Sequence, residues 1–463
     1  MNLLRKKLPL IATLVALLLA LATYVIGMAH FQAQESEFYT FEQLIKPRIV
    51  DVVIATWLFY VGCSIGSFLN VVAWRMPRGQ EISGSSHCPR CAKKLIWRDN
   101  FPVFGWISRL GRCRYCGSPI SRRYPIVEAM VGISIVFVAI PQIYAASLPL
   151  PEQVLEALRS RGGPVWSPRA SPTVLFIVTY HVLALATLWA LALIRVDGVK
   201  LPSSIQVFAG ITVLAPMFVN PSSMVVSWQS ARGEDWSPHG MFIEVPVRIA
   251  TSLVAAAFLG RVLARRLCPQ ADLKLDPLGK DSSRLIDLIL MLSIPAVLIG
   301  WHSMPAIVVV SAVVSVLIRP LVNWIPINDS PKRQLESRSA LEYFSISLPL
   351  VLAFQLAFWR PLWQSGFWPS DVSPRNVILL WAVAALIVPS LIPSESLIPS
   401  DERPVQSPNV VQEDDDDDAD QDDEEVESDR EIVEQQTEND DADSADELPD
   451  QKRDAETDDG YQR

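Results

Sequence analysis

The chain has 463 residues, half of them apolar, with 14 Trp and a formal net charge of −10 at pH 7. Those totals fit a large soluble enzyme or a polytopic membrane protein, and the gathering of the apolar residues into runs of about 20 excludes the former. The charge is equally uneven: residues 401–463 carry 28 Asp and Glu against 5 Lys and Arg, which leaves 22 acids and 35 bases, a net +13, in the first 400.

The first element is a basic start, "MNLLRKK", followed by an apolar run over 8–28. This is the pattern of a cleaved signal peptide or of a retained helix, and the length of the run, with no clean A-x-A site after it, favours a retained anchor. Further candidate spans lie near 50–73, 126–146, 173–194, 204–219, 246–265, 286–300, 303–319, 343–358 and 376–397. The predicted fold class is therefore an all-α polytopic membrane protein with about 8–10 transmembrane helices, a small cytosolic zinc-binding loop domain and a disordered acidic tail. Its divisions are an anchor and periplasmic linker at 1–49, a first membrane region at 50–146 with a loop at 75–125, a second at 173–320, additional helices at 321–400 and the tail at 401–463.

Orientation follows from the loops. Arg75, Arg78, Arg90, Lys93, Lys94, Arg98, Arg109, Arg112, Arg114, Arg122 and Arg123 load the 75–125 loop with positive charge. The positive-inside rule puts it in the cytosol, and alternation puts "MNLLRKK" and the 266–285 and 320–342 loops on the same side, where the acidic tail is expected too. Arg159, Arg161 and Arg169 fall on the other side, against the trend.

Within that loop "CPRC" (88–91) and "CRYC" (113–116) are separated by 21 residues. Two C-x2-C pairs supply four thiolates, the ligand set of a closed tetrahedral zinc site, and a cytosolic loop disfavours the alternative of two disulfides. Cys88, Cys91, Cys113 and Cys116 are the predicted metal ligands, with zinc in a structural role because a closed shell leaves no position for water. Gly117, directly after the second pair, suits a turn with positive φ. Cys63 and Cys268 are expected to be a buried small residue and a loop thiol.

The stretches "GSFLNVVAWRMPRG" (66–79) and "WRDNFPVFGWISRLGRCRYCGSPISRRYPIVEAMVG" (97–132), with the paired cysteines between them, resemble the amino-terminal domain of the bacterial prepilin peptidases. The resemblance is dense at Asn70, Pro77, Pro102, Arg112, Ser121, Arg123, Tyr124, Pro125 and Glu128. It implies an aspartic endopeptidase of the inner (cytoplasmic) membrane. Such an enzyme cuts the leader from type IV prepilin-like or type II secretion pseudopilin-like proteins on the cytosolic side. It often methylates the new amino terminus too, with S-adenosylmethionine as the expected donor where that activity is retained. A pilin-like protein and membrane lipid are the implied partners, and no nucleic acid is.

An aspartic peptidase needs two carboxylates sharing one proton. In the family one Asp precedes an Ile-Pro-Asp-like element by seven residues, with an acid two positions later, and the other ends a Gly-x-Gly-Asp motif. Here Pro202 sets the register of "ALALIRVDGVKLPSSI" and Arg195 stands seven before it, so Asp197 is the surviving acid; Ser203 replaces the Asp after the proline. Asp287 lies thirteen before Gly300 and is preceded by Arg284, Leu285 and Ile286 in place of glycines; Asp281 is a rival too far from Gly300. Asp197 and Asp287 are the candidate catalytic pair, with Arg195 expected to point away toward lipid headgroups. The alternative is a degenerate relative that binds a pilin-like substrate or assembly partner without cleavage, or two interfacial acids with no chemistry.

Other motifs carry less. "GCSIG" (62–66) matches G-x-S-x-G but lies inside an apolar span, with no strand for a nucleophile elbow to turn from. His181 and His302 lack ligand-spaced neighbours and are expected in core or interface roles.

Overall fold

A computed structural model describes residues 2–35, 37–88, 90–144, 147–148, 168, 171–221, 240–277, 279–323, 339–370 and 373–392. The acidic tail predicted at 401–463 lies outside the described residues. The described residues form helices α1 (Asn2–Glu35), α2 (Phe41–Arg75), α3 (Phe104–Ser108), α4 (Arg123–Ile143), α5 (Pro172–Val196), α6 (Ser203–Val219) and α7 (Gly240–Leu267). These are followed by α8 (Lys280–Ile299), α9 (Met304–Leu317), α10 (Arg319–Asn323), α11 (Ala340–Ala357), α12 (Trp359–Gln364) and α13 (Arg375–Ile387). Among them there is no strand, only two isolated bridges in the 75–125 loop.

Among the described residues seven helices are long and apolar enough to cross a membrane: Val15–Glu35, Phe41–Arg78, Arg123–Ile143, Pro172–Val196, Glu244–Leu267, Lys280–Ile299 and Ala340–Ala357. The remaining three predicted spans form the shorter apolar helices Ser203–Val219, Trp301–Leu317 and Arg375–Ser390. At about 1.5 Å per residue, 17 residues reach roughly 26 Å, at the short end of what crosses a ~30 Å hydrocarbon core.

Local chemistry sets the helix ends. Ser171 caps α5, its Oγ accepting from the Val174 N–H at 3.3 Å, with Pro172 in the first turn where no N–H is needed. At the other end Gly198 takes φ +70° and donates to the Arg195 carbonyl at 2.8 Å, a left-handed stop. Helix α2 begins with the Thr40 N–H donating to Gln43 Oε1 at 3.1 Å.

Helix α5 is buried along most of its length, packed by α4, α11 and α2, with Leu185, Leu188, Trp189 and Leu191 in one core with Phe344 and Leu348 of α11. Helices α2 and α4 approach backbone to backbone. A Cβ on Gly66 would meet Glu128 Cα at 2.8 Å, and one on Gly62 would meet Gly132 Cα at 2.8 Å. The "GCSIG" stretch is thus a small-xxx-small packing face, the means by which membrane helices bring backbones together. Cys63 is buried on the same face, its Sγ 2.6 Å from where a Gly132 Cβ would stand, and Cys268 is buried just past α7. Helix α1 is tied on by Tyr24 Oη, which donates to Asp51 Oδ2 at 3.5 Å; Tyr144 donates to the other oxygen and Arg48 pairs with Asp51 at 2.9 Å.

Both histidines have the expected structural places. His181 is fully buried with Nδ1 3.0 Å from Gln142 Oε1, and His302 stacks on Trp301 at 3.8 Å between ring centroids.

Candidate functional site

The two C-x2-C pairs fold as two matching knuckles. In the first, the Cys88 N–H donates to the Lys93 carbonyl at 3.0 Å and the Ala92 N–H returns to the Cys88 carbonyl at 2.9 Å. In the second, the Cys113 N–H donates to Ser118 at 2.8 Å and the Gly117 N–H to Cys113 at 3.1 Å. The residue after each second cysteine has positive φ, +52° at Ala92 and +69° at Gly117. Glycine takes that conformation without strain, and alanine holds it only because the knuckle imposes it.

The four Sγ atoms of Cys88, Cys91, Cys113 and Cys116 all lie within 4.8 Å of one another, with Cys88 and Cys116 at 3.9 Å. A tetrahedral site with metal–sulfur bonds of about 2.3 Å needs sulfurs roughly 3.8 Å apart, so the cluster is sized to hold one ion. The N–H groups of Cys116 and Tyr115 point at Cys113 Sγ and bring that thiol down to about 6. The Lys93 N–H draws Cys91 down as well, but burial and hydrogen bonds to the other three sulfurs outweigh it and leave that thiol at about 11. Four sulfurs this close do not ionise together without a cation to share.

The loop around the knuckles is fastened to the membrane helices. Arg114 grips Asp99 with two bonds of 2.7 Å, and this pairing holds the Asp99 carboxyl below its ordinary value. Trp106 Nε1 donates to the Ile120 carbonyl at 3.0 Å. Glu128, buried in α4, accepts the Val103 N–H at 2.7 Å, and Asn70 Nδ2 reaches the Tyr124 carbonyl at 3.4 Å. Of the residues that carry the resemblance, Glu128 fastens this loop and Asn70 joins α2 to the first turn of α4.

The predicted carboxylates sit at neighbouring helix ends, and each meets a guanidinium. Asp197, at the end of α5, is held by both terminal nitrogens of Arg123, the Nη2–Oδ2 bond being 2.8 Å. Asp287, in the second turn of α8, lies 3.1 Å from Arg195 Nη1, and its Oδ2 also accepts the Leu201 N–H at 3.3 Å. Arg195 therefore does not point toward lipid headgroups. Its side chain is 3% exposed, turned inward onto Asp287, which is 1% exposed, and Nη1 also donates to the Val199 carbonyl at 2.9 Å. The reason is desolvation: a carboxylate this deep is costly alone, and the Arg195 guanidinium compensates it at hydrogen-bond distance. Asp287 Oδ1 and Arg195 Nε have no hydrogen-bond partner among the described residues. Asp281 pairs with Arg284 at 2.9 Å in the first turn of α8.

The sequence presents Arg123 as one basic loop residue among eleven and as one of the residues that carry the resemblance, with no sign of its partner. Its partner is 74 positions away, a separation no local pattern bridges. Arg123 also lines a small cleft with Val127 and Met130 of α4, Trp189 and Leu193 of α5, Val322 of α10 and Ile346 of α11.

Comparison with known proteins places a family on part of this architecture. The bacterial peptidase A24 N-terminal domain matches residues 60–141, which hold the C-terminal part of α2, the four-cysteine loop and most of α4. A prepilin leader peptidase/N-methyltransferase of Myxococcus xanthus is 48% identical over 88 residues, 19% of this chain and 26% of that protein. One from Klebsiella pneumoniae is 39% identical over 102 residues, covering 20% and 44%. A type 4 prepilin-like proteins leader peptide-processing enzyme of Escherichia coli is 41% identical over 92 residues, covering 16% and 34%. The chain thus spans between about a quarter and less than half the length of these relatives, and homology to their family extends over about a fifth of it. The domain match ends before Asp197 and Asp287. No solved structure matches.

Proposed function

We propose that this multi-pass membrane protein is a prepilin-peptidase-like protein that engages a pilin-like leader or assembly partner without cutting it. The carrying observation is the Arg195–Asp287 pair, a guanidinium 3.1 Å from the carboxylate where the resemblance calls for a second acid. A shared-proton dyad requires two like groups facing each other, so that one can take a proton from water while the other polarises the carbonyl. A guanidinium does neither, because it stays protonated throughout the physiological range. Asp197 is likewise committed to Arg123. The reading does not extend to methyl transfer.

One observation supports the cleaving alternative, with Asp197 and Asp287 as the dyad: Asp287 keeps one oxygen, Oδ1, unengaged. A test distinguishes the two. The full chain is co-expressed with a type IV prepilin-like substrate, and leader release and co-purification are both scored. The expected result is co-purification with no release, and release that appears or rises in Arg195→Asp. Efficient release by the wild type, abolished by Asp197→Asn and by Asp287→Asn, would establish the dyad and overturn the non-cleaving reading.

Cys88, Cys91, Cys113 and Cys116 are proposed to hold a structural zinc ion on the cytosolic side of the bacterial inner membrane, bracing the loop between α2 and α4. The sulfur spacing supports this, and zinc would supply cross-linking of the two knuckles and no reaction step. Metal analysis of purified protein should return one zinc per chain, lost in the Cys88→Ser, Cys113→Ser double variant. Full zinc content in that variant would refute the assignment.

A further inference from the structure

We infer that the segment around Phe101–Ser108 is a re-entrant wedge, inserted into the cytosolic leaflet beside α2 and α4, with the loop's lysines and arginines seated on anionic phospholipid headgroups above it. The inference stands apart from any leader-binding role.

Depth is the first argument. Phe101 stacks on Tyr60 at 5.2 Å between centroids. Tyr60 lies fifteen residues before the last residue of α2, about 22 Å of helix. The Val103 N–H meets Glu128, five residues into α4, and a Cβ on Gly66 would meet that same Glu128 backbone, so Gly66 and Glu128 share a level and Tyr60 lies about 9 Å deeper along α2. Helix α4 has 21 residues and spans about 31 Å, the whole of a bilayer's hydrocarbon core, so its first residue marks the boundary. A chain that enters at Asp99 and touches Tyr60 and Glu128 has passed below it.

Backbone chemistry is the second. Irregular backbone at membrane depth must have its polar groups met from within the protein. The Gly105 N–H donates to the Phe101 carbonyl at 2.7 Å and the Ile107 N–H to Val103 at 3.1 Å. The Val103 N–H, left over at a residue with φ +61°, is taken by the buried Glu128 carboxylate. This gives a buried acid within a span a specific task.

Surface composition is the third. Phe104 is 49% exposed and adjoins Phe101, with Tyr60 and Phe68 of α2 also exposed. Lys93, Lys94 and Arg98 are exposed on the approach to the wedge and Arg112, Arg114 and Arg122 on the return. The one acid between them, Asp99, is occupied by Arg114. Apolar rings below a belt of bases are the pattern that binds an anionic leaflet.

The test uses the full chain in phosphatidylcholine vesicles containing a minority of phosphatidylglycerol, with the photo-crosslinker benzoylphenylalanine in place of Phe104. Irradiation should yield phospholipid adducts in which phosphatidylglycerol is enriched several-fold over its share of the bilayer. The Lys93→Gln, Lys94→Gln, Arg98→Gln variant should return that ratio to the bilayer share. Glu128→Gln, whose amide oxygen still accepts from Val103, should keep the adduct, and Glu128→Ala should lose most of it. The unsubstituted Glu128 protein decides the matter if Glu128→Ala fails to fold. Adducts to protein alone, or none at all, overturn the wedge in favour of a protein-facing segment. Adducts at the bilayer ratio overturn the headgroup contact.

Discussion

Arg195→Met alone should destabilise the protein by about 3–5 kcal/mol, the loss seen when one member of a buried ion pair is removed. Asp287, 1% exposed, would keep only the Leu201 N–H as a partner. The cost lies in the stranded anion, so Arg195→Met with Asp287→Asn should recover most of it, since asparagine Oδ1 still accepts from Leu201 and carries no charge. The unfolding midpoint in detergent, followed by tryptophan fluorescence, would fall sharply in the single variant and return toward wild type in the double. A single variant as stable as wild type would show that the pair does not form.

The same pair carries the functional argument. In a shared-proton dyad, repulsion between two carboxylates keeps one protonated near neutrality. Replacing one acid by arginine reverses the sign of that interaction and leaves the remaining carboxylate no like group with which to share a proton. The site then suits holding charge in place better than moving a proton. The second pair extends the effect, because Arg123 stands at the start of α4 and Asp197 at the end of α5. The four-cysteine loop, through Ser121 Oγ accepting from the Arg123 N–H at 3.2 Å, is thereby linked to the end of α5.

What the sequence made legible is what short-range chemistry decides. The spans at 126–146 and 173–194 read correctly because runs of apolar residues have one stable home, and the knuckles because C-x2-C spacing fixes a local turn. Asp197 and Asp287 could be placed at helix ends for the same reason. The direction of Arg195 was not legible, since interface position alone allows a long side chain to turn to headgroups or inward, and the choice falls to Asp287, 92 residues on. "FPVF" is too short to register as a membrane segment by hydropathy, so the depth of Phe101 appears only through its stack on Tyr60. Gly62 and Gly66 offered a spacing without a partner until Gly132 and Glu128 came into register.

That register supports the last prediction, that Gly66→Leu should abolish the folded protein while Gly210→Ala leaves it intact. A Cβ at Gly66 meets Glu128 Cα at 2.8 Å and the Glu128 carbonyl oxygen at 3.3 Å, atoms of a helix backbone that cannot rotate aside. Even Gly66→Ala must push α2 and α4 apart, an overpacking cost of about 1–3 kcal/mol, and leucine adds three further carbons to the same gap. The displacement would be felt at Glu128, drawing its carboxylate from the Val103 N–H and loosening the loop above. A Cβ at Gly210, on α6, meets nothing within 4 Å, so alanine there should be neutral or stabilise the helix by up to about 1 kcal/mol through better helix propensity. Membrane levels and the midpoint of thermal aggregation, compared across the three variants, give the order: Gly210→Ala at or above wild type, Gly66→Ala below, Gly66→Leu lost. Equal levels for Gly66→Leu and wild type would mean that α2 and α4 are not in backbone contact there.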